Sequence, residues 1–362
     1  MRKSSLVITA TITLCIFFSA CTRNDKNANS IPVSTDIENV DVTASGVYDE
    51  PDTRELDSSE EGVDSEINDL STAASNFTTM PRFSANDTQG YINYLAGLSD
   101  VCFYYTVRFQ HENYSAYRDI TLDGIKGMYD NLNEDLDFNT FIHQSLSYSG
   151  YYDGDLRFID AGSRVEHVDR MKNQRVFDWD GNEYYHTPIK ATFLGRSIYH
   201  HYDTSIIKGR NFVEPDFEVN SPDEPINVVL GFSYLDTYDI GDVFQLSLYL
   251  QGIDFRVVGF YKEGIGISEG LGVLDSIAFD NNIIVPFFRI NYEPIDNKNY
   301  SFQIDHYINM TQGNIRITEP IENVNSDTHA MYLAVIEQMA EANGLTGAYY
   351  IPLWPVVISL QS

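Results

Sequence analysis

The sequence predicts an α+β fold in which many short strands are combined with a few helices. Residues 243–250 and 253–260 alternate apolar and polar side chains, as half-buried antiparallel strands do. Residues 122–136 carry apolar side chains at helical spacing. The 362 residues include 25 Tyr and 21 Phe, so the chain has enough apolar surface to build a core.

The first twenty residues have the layout of an export signal. Arg2 and Lys3 precede 13 apolar and hydroxyl residues at 6–18. A helix needs about 20 apolar residues to span a bilayer, so this stretch is too short to do so. The ending Phe18-Ser19-Ala20-Cys21 resembles the lipobox of bacterial lipoproteins, although Phe18 stands where Leu is usual. We therefore expect residues 1–20 to be a lipoprotein signal peptide and Cys21 to be lipidated; an ordinary cleavable signal is the alternative.

Residues 21–85 are predicted to form a disordered acidic tether. Residues 22–80 contain 14 Asp and Glu, against three basic residues, and only two aromatic side chains. Low hydrophobicity with high charge leaves too little apolar surface to offset the entropy of ordering. After a lipid anchor, such a tether would hold the remaining residues, 86–362, away from the membrane surface.

Charge and cysteine content exclude several classes of function. The formal net charge is −30, and the sequence contains no dense basic run, so nucleic acid is not an expected partner. The three cysteines fall at Cys15, in the signal, at Cys21 and at Cys102. They supply neither a disulfide framework nor a cysteine-based metal site. Cys102 stands in an apolar strand-like run and is expected to be a buried, inert thiol.

Residues 86–362 are predicted to form one folded domain with mixed elements. Residues 138–146 are expected to extend the first helix, the dipeptide Gln251-Gly252 to close the central hairpin, and residues 264–272 to form a mobile glycine-rich loop. The apolar segment 349–360 is too short to cross a bilayer. The predicted helices are 122–136 and 326–343, with a helical turn at 232–237, and the predicted strands are 101–109, two strands within 176–185, 190–194, 226–231, 243–250, 253–260, 282–288, 303–310 and 313–317.

Residues 205–290 carry an ordered series of short motifs. In chain order they are IIKGRNF at 206–212 with Asp216, VVLG at 228–231, IGD at 240–242, FRVVGF at 255–260 and IIVP at 283–286. Each motif alone is common, but their order and spacing resemble the MacB-like periplasmic core domain of FtsX-type ABC transporter permeases. The match is strongest over 205–290, and the rest of 86–362 agrees in general pattern.

The resemblance implies an α+β domain with two small α/β subdomains on the outer face of a membrane. It also implies binding or mechanical coupling rather than catalysis. Permeases of that family carry several membrane helices, whereas this sequence shows no such helix beyond its signal and no P-loop. The chain is therefore expected to be an exported, tethered version of the domain, with an ABC permease or ATPase system as its envelope partner.

Ser205-x-x-Lys208 has the spacing of the nucleophile pair in penicillin-binding proteins. That pair works when a helix places the Lys amine against the Ser hydroxyl. Here Gly209 and Pro215 follow closely, and the companion Ser-Asp-Asn and Lys-Thr-Gly motifs are missing from the sequence. A turn is the favoured interpretation, and a cell-envelope hydrolase using Ser205 and Lys208 is the alternative.

Three other patterns suggest sites and have simpler explanations. On a strand, His200 and His201 would point to opposite faces, so exposed polar histidines are favoured over a zinc site with His186 or Asp203. The Asp178-x-Asp180-Gly-Asn182 stretch departs from the EF-hand spacing and fits a hairpin turn. The glycines at 264, 266 and 270 depart from the dinucleotide fingerprint, and Glu269 would oppose a pyrophosphate.

The sequence Tyr148-Ser-Gly-Tyr-Tyr152 leaves two interpretations open, exposed rings that stack on sugars or rings packed in β-structure. The function expected from all these features is that of a non-catalytic, lipid-anchored extracytoplasmic protein that binds or couples to another envelope protein. A glycan-binding surface lipoprotein is a further alternative. No catalytic residue, metal ligand or cofactor is expected.

Overall fold

Strands in two main sheets form most of the structure, a computed structural model that describes residues 102–110, 120–162, 168–177, 183–269, 276–353 and 355–361. All of these belong to a unit that spans Ala74–Ser362. No helix in these ranges is both long and apolar enough to cross a membrane. The predicted signal peptide, the lipidation of Cys21 and the tether at 21–85 lie outside the described residues, as does the Asp178–Asn182 turn.

The first sheet has seven strands, and every pair in it is antiparallel. Its central strand pairs with three others, and three consecutive side chains in it, Tyr105, Thr106 and Val107, are buried. In sheet order the strands are β14 (Ser276–Ala278), β13 (Gly266–Glu269), β19 (Val356–Gln361), β1 (Phe103–Phe109), β17 (Gly313–Arg316) and β2 (Phe138–Asn139), with β18 (Tyr349–Tyr350) also paired to β1.

The second sheet has ten strands and holds the whole motif series of 205–290. The strands are β3 (Phe141–His143), β7 (Ala191–Leu194), β15 (Ile283–Pro286), β10 (Ile226–Leu230), β12 (Gln251–Tyr261), β11 (Val243–Leu248), β4 (Leu146–Ser149), β6 (Glu183–Ile189) and β5 (Gln174–Phe177), with β8 (Ile206–Gly209) also paired to β12. The pairs β10–β12 and β7–β15 are parallel, and the others are antiparallel. A separate parallel pair joins β9 (Glu218–Val219) to β16 (Arg289–Ile290).

Four α-helices and several 3₁₀ turns complete the described structure. The three long helices begin at side-chain caps, supplied by Thr121, Asp296 and Asn325, that accept hydrogen bonds from the first turn. The helices are α1 (Leu122–Asp135), α2 (Val168–Met171), α3 (Asn297–Met310) and α4 (Ser326–Ala342), and the 3₁₀ turns are Leu156–Phe158, Tyr199–Ser205, Glu214–Phe217, Phe232–Tyr234 and Ile321–Asn323.

One large cluster of buried side chains joins both sheets and the long helices. It includes Tyr105 of the first sheet, Phe193 and Phe255 of the second, and Met128 of α1. A smaller cluster around Tyr202, Phe212 and Tyr261 packs beside it. The two sheets therefore share a core, and the predicted α+β class is confirmed.

Most of the predicted elements are confirmed, with ends shifted by a few residues. The helices at 122–136 and 326–343, the helical turn at 232–237 and the hairpin within 176–185 are all present. The predicted strands at 101–109, 190–194, 226–231, 282–288 and 313–317 correspond to β1, β7, β10, β15 and β17.

Two predicted elements are wrong. Residues 138–146 do not extend α1 but form β2, β3 and the start of β4, each too short to show a period of two. Residues 303–310 are not a strand but the second half of α3, whose buried face includes the polar side chains Asn299, Gln303 and His306. Polar residues on a buried helical face hide the helical period from a reading based on hydrophobicity.

The central hairpin also turns at a different place from the one predicted. Leu248 pairs with Gln251, so Tyr249 and Leu250 occupy the turn, with φ of 48° and 66°. Two consecutive residues with positive φ fit a type I′ turn, which usually takes Asn or Gly. Gln251-Gly252 therefore belongs to β12, and the Tyr249 hydroxyl donates to Gln144 Oε1 at 2.7 Å.

Candidate functional site

The motif IIKGRNF with Asp216 forms a tight connection at the end of β12. A 3₁₀ turn ends at Ser205, β8 follows, and a second 3₁₀ turn begins at Glu214. Strand β8 pairs with β12 in the register that sets Gly209 opposite Gly259.

Both glycines are required by close backbone contacts. Gly209 has φ of +78°, and a Cβ there would lie 2.4 Å from the Val258 carbonyl oxygen. A Cβ on Gly259 would lie 2.0 Å from the carbonyl oxygen of Arg210. The Gly-Arg and Val-Val-Gly motifs of the sequence are therefore two sides of one contact between β8 and β12.

The inner side of this connection is held by Asp216, whose side chain is 3% exposed. Arg210 donates to both carboxylate oxygens, at 2.5 and 3.0 Å. The Val213 N–H donates to Oδ2 at 2.8 Å, and the Asn227 amide donates to Oδ1 at 2.7 Å. Burial alone would raise the pKa of Asp216, but these hydrogen bonds and the Arg210 charge outweigh it and lower the pKa.

The outer side of the same connection lines a shallow polar cleft of about 520 Å³ that is open to solvent. Arg196 lies in the cleft and donates to Glu214 Oε2 at 3.0 Å and to Glu218 Oε1 at 2.8 Å. The Asn291 amide donates to Glu218 Oε2 at 2.9 Å. The residues that line the cleft are Arg196, Glu214, Pro215, Glu218, Asn220, Glu224 and Asn291.

The polar side chains that line this cleft can form hydrogen bonds with a ligand or partner. Its three carboxylates outnumber its single guanidinium, so it presents acceptor oxygens to the solvent. We take this cleft, which lies on the outer side of the connection after β8, as the candidate functional site. The sequence does not reveal this cleft, because its residues come from segments nearly one hundred positions apart.

Ser205 and Lys208 are placed in different environments. Ser205 is buried, and its carbonyl accepts from the Lys262 N–H at 2.8 Å. Lys208 lies on the exposed side of β8, where its amine binds Asp239 at 2.7 Å and stands over the Phe260 ring. Since the amine is bound to a carboxylate at the surface, the geometry does not set it against the Ser205 hydroxyl as a base.

His200 and His201 do not lie on a strand, the case considered for them in the sequence, but in the 3₁₀ turn Tyr199–Ser205. Both are exposed, and His200 lies 3.7 Å from Asp203 and 3.9 Å from Glu214. Within the described ranges, no group of three or more His, Cys, Asp and Glu side chains is arranged to hold a metal ion.

A cluster that the sequence did not suggest lies between β3, β4 and the chain after the first 3₁₀ turn. Ser145 donates to Asp160 Oδ2 at 2.5 Å, and His143 Nε2 lies 3.3 Å from the same oxygen. Burial opposes ionisation of Asp160, but the contacts from His143 and Ser145 hold its pKa well below the usual range. In a catalytic triad the histidine stands between the other two. Here the Asp160 carboxylate stands between His143 and Ser145, so the arrangement is not that of a triad. The cluster joins the end of β3 to the chain that follows the first 3₁₀ turn.

Two smaller expectations need correction. The predicted loop at 264–272 contains strand β13, because Gly266–Glu269 pairs with both β14 and β19. Cys102, expected to be buried, is partly exposed just before β1.

Comparison with known proteins gives little. No family model and no curated protein matches the chain. Among solved structures, the extracellular domain of YknZ, a noncanonic ABC-type transporter from Gram-positive bacteria, aligns with 69% of this chain and 99% of that domain. The sequence identity is 12% and the TM-score is 0.32, and a likeness at this level carries no argument about this chain.

Proposed function

We propose that the chain is a non-catalytic, extracytoplasmic protein that is anchored to a membrane through a lipid on Cys21 and binds or couples to another envelope protein. An ABC permease or ATPase system of the MacB and FtsX type is the partner class that the motif series favours. The acidic residues 21–85 act as the tether, and residues 86–362 act as the binding domain.

The observation that carries this proposal is the organisation of the motif series into one continuous piece of structure. Five strands that carry or adjoin the motifs are neighbours in the second sheet: β8, β10, β11, β12 and β15. The close contact of Gly209 with Gly259 joins β8 to β12, and the Asp216 carboxylate binds Arg210 in the connection after β8. The buried motif residues, such as Asp216, Val228 and Phe260, serve the fold, which leaves the outer cleft around Arg196 free to meet a partner.

The polar nature of the cleft suits a partner that associates reversibly. Interfaces of that kind are about as polar as the rest of a protein surface and use hydrogen bonds at their rim. The net charge of −30 favours a partner with a basic contact surface and speeds its encounter at low ionic strength.

The anchoring part of the proposal is tested by Cys21→Ser, followed by separation of membrane and soluble fractions. Without the thiol no lipid can be attached, so the protein is expected to move to the soluble fraction. Cys102→Ser removes another thiol and should leave the protein in the membrane fraction. An unchanged distribution for Cys21→Ser would overturn lipid anchoring.

A further inference from the structure

Tyrosine side chains gather where β4 and β6 end, outside the motif series and away from the cleft. Tyr151 is 68% exposed and Tyr185 is 39% exposed. Their ring centroids are 5.5 Å apart, and the rings are nearly perpendicular at 85°. The pair therefore presents aromatic surface to solvent in a fixed arrangement.

A second pair adjoins the first. Tyr148 and Tyr152 are half-buried, with ring centroids 5.4 Å apart at 70°. Tyr148 lies opposite Thr187 in the β4–β6 register, and Thr187 and Tyr185 are two residues apart on β6. Since such positions share a face of a sheet, Tyr148 and Tyr185 project to the same side. We call Tyr148, Tyr151, Tyr152 and Tyr185 the tyrosine surface.

The hydroxyl of a fifth tyrosine beside this surface has no hydrogen-bond partner among the described residues. Tyr234 is buried, stacks on Phe158 with centroids 3.9 Å apart, and leaves its hydroxyl unpaired. Burial, together with the nearby phenols of Tyr152 and Tyr238, raises the pKa of Tyr234. A buried polar atom without a partner is uncommon, but this hydroxyl is closed to a ligand at the surface and is not part of the tyrosine surface.

Asn173 holds the backbone of Tyr152, one of the four residues of the tyrosine surface. Its side-chain oxygen accepts from the Tyr152 N–H at 2.6 Å, and its amide donates to the Tyr152 carbonyl at 2.9 Å. The Lys172 amine stands 5.5 Å from the centre of the Tyr152 ring. Rings that are fixed before a ligand arrives lose little conformational entropy on binding.

The charges around the surface neutralise one another. Arg175 pairs with Glu183 at 3.2 Å, and Arg157 pairs with Asp155 at 3.0 Å. The surface is therefore an aromatic area with locally balanced charge on a chain whose net charge is −30.

An anionic ligand would be repelled by the chain as a whole. The two further charges beside Tyr152, those of Asp153 and Lys172, have opposite signs, so the local balance does not favour a cationic ligand. The charge pattern complements an uncharged ligand.

We propose that the tyrosine surface binds an uncharged oligosaccharide. The C–H face of a sugar ring stacks on Tyr151 or Tyr185, and sugar hydroxyls exchange hydrogen bonds with the exposed phenols. A phenol both donates and accepts, as does a sugar hydroxyl, so the two groups are matched in hydrogen-bonding capacity. This site goes beyond the proposed envelope partner and does not depend on it.

The test is calorimetric titration of the full chain with neutral hexasaccharides built from glucose, mannose and N-acetylglucosamine, with an octalysine peptide as the alternative ligand. We expect saturable binding of at least one neutral hexasaccharide. The double variant Tyr151→Ala, Tyr185→Ala should weaken it at least tenfold. The matched control Tyr300→Ala, Tyr350→Ala removes exposed rings elsewhere and should leave the affinity unchanged.

A second variant guards against loss of folding. Tyr151→Phe keeps the exposed ring and removes only its hydroxyl, so the protein should stay folded by circular dichroism while the affinity falls several-fold. The proposal is overturned if no neutral hexasaccharide binds, or if binding is the same in the Tyr151, Tyr185 double variant. Tyrosine-dependent binding of octalysine in place of the hexasaccharides would also overturn it.

Discussion

Two ion pairs, each between a basic residue and an aspartate, involve Lys208 and Arg210, which are two residues apart in the chain. The two pairs differ in the burial of the aspartate. Lys208 binds Asp239 at 2.7 Å, and the Asp239 side chain is 82% exposed. Arg210 binds Asp216 with two hydrogen bonds, and the Asp216 side chain is 3% exposed. The two cations are about equally exposed, at 42% for Lys208 and 43% for Arg210, so the pairs differ in the carboxylate, which is at the surface in one and buried in the other.

The difference shows which part of the stretch carries the fold. Asp216 accepts hydrogen bonds from Arg210, Val213 and Asn227, so its removal would leave three donors without their acceptor. Exposed pairs such as Lys208–Asp239 gain little, because water competes for both partners. The Ser-x-x-Lys spacing contains the exposed Lys208, whereas the contacts that stabilise the fold are made by Gly-Arg-x-Phe and Asp216.

The largest expected effect is that of Asp216→Ala. Loss of the carboxylate leaves Arg210 and two other donors without their acceptor, and the free energy of unfolding should fall by about 3 kcal/mol. Urea unfolding followed by circular dichroism measures it. Asp239→Ala is the matched control and should leave the midpoint unchanged. Equal losses in the two variants would contradict the contrast between the pairs.

The next largest effect concerns a buried polar group that has no charged partner, His306. Its Nε2–H donates to the Phe288 carbonyl at 2.8 Å, its Nδ1 is unpaired among the described residues, and burial lowers its pKa to about 4. The unfolded chain, with a histidine pKa near 6.5, takes up the proton first as pH falls. Stability should therefore decrease between pH 6.5 and pH 4, by about 3 kcal/mol in all.

The variant His306→Gln keeps a donor for Phe288 and removes the titration. Its stability should lose most of the slope between pH 6.5 and pH 4, with a smaller slope left by His186, whose pKa is also lowered by burial. His200→Gln, at an exposed position, should keep the slope of the parent chain. Asp216 acts in a separate window, because its lowered pKa means that its contribution is lost only as pH falls below the usual carboxyl range. A slope that persists undiminished in His306→Gln would show that another group titrates.

A smaller effect is expected at Gly259. A Cβ there would lie 2.0 Å from the Arg210 carbonyl, so Gly259→Ala must push β8 away from β12 and should cost about 2 kcal/mol. Gly252→Ala, on the same strand, meets only the Gln245 side chain at 3.8 Å or more and serves as control. If Gly259→Ala unfolds at the same urea concentration as Gly252→Ala, the close approach of the two strands is not required.

The smallest effect is expected for the exposed pair itself. Lys208→Met should not change the unfolding midpoint, and added salt should affect it no differently from the parent chain. A serine-reactive acyl probe on the same variant addresses the hydrolase alternative. Labelling of the parent chain that disappears in both Ser205→Ala and Lys208→Met would overturn the non-catalytic proposal.

The sequence was most informative where one period dominates a segment. The alternation in β11 and β12 and the helical spacing in α1 each locate an element within a few residues. The prediction from the sequence failed in α3, because Asn299, Gln303 and His306 are polar and yet buried. It also failed in β2 and β3, because strands of two or three residues are too short to show a period. These elements are set by pairing and packing with distant parts of the chain.

The candidate sites follow the same rule. The Gly209 to Asp216 turn could be recognised because its residues are close in the chain. The cleft needs Arg196 and Asn291 from distant segments, and the tyrosine surface needs the β4–β6 register to join Tyr148 to Tyr185. Tyr151 and Tyr152 are adjacent in sequence, and only the fold makes one exposed and the other half-buried.

The most direct test of the central claim, that the inner side of the turn holds the fold and the outer cleft meets an envelope partner, is photo-crosslinking in intact cells. A benzophenone amino acid replaces Glu224 in the cleft, or Glu337 on the exposed side of α4 as the control. We predict an adduct with an envelope membrane protein from position 224 only. No adduct at position 224, or the same adducts from both positions, would contradict the proposal.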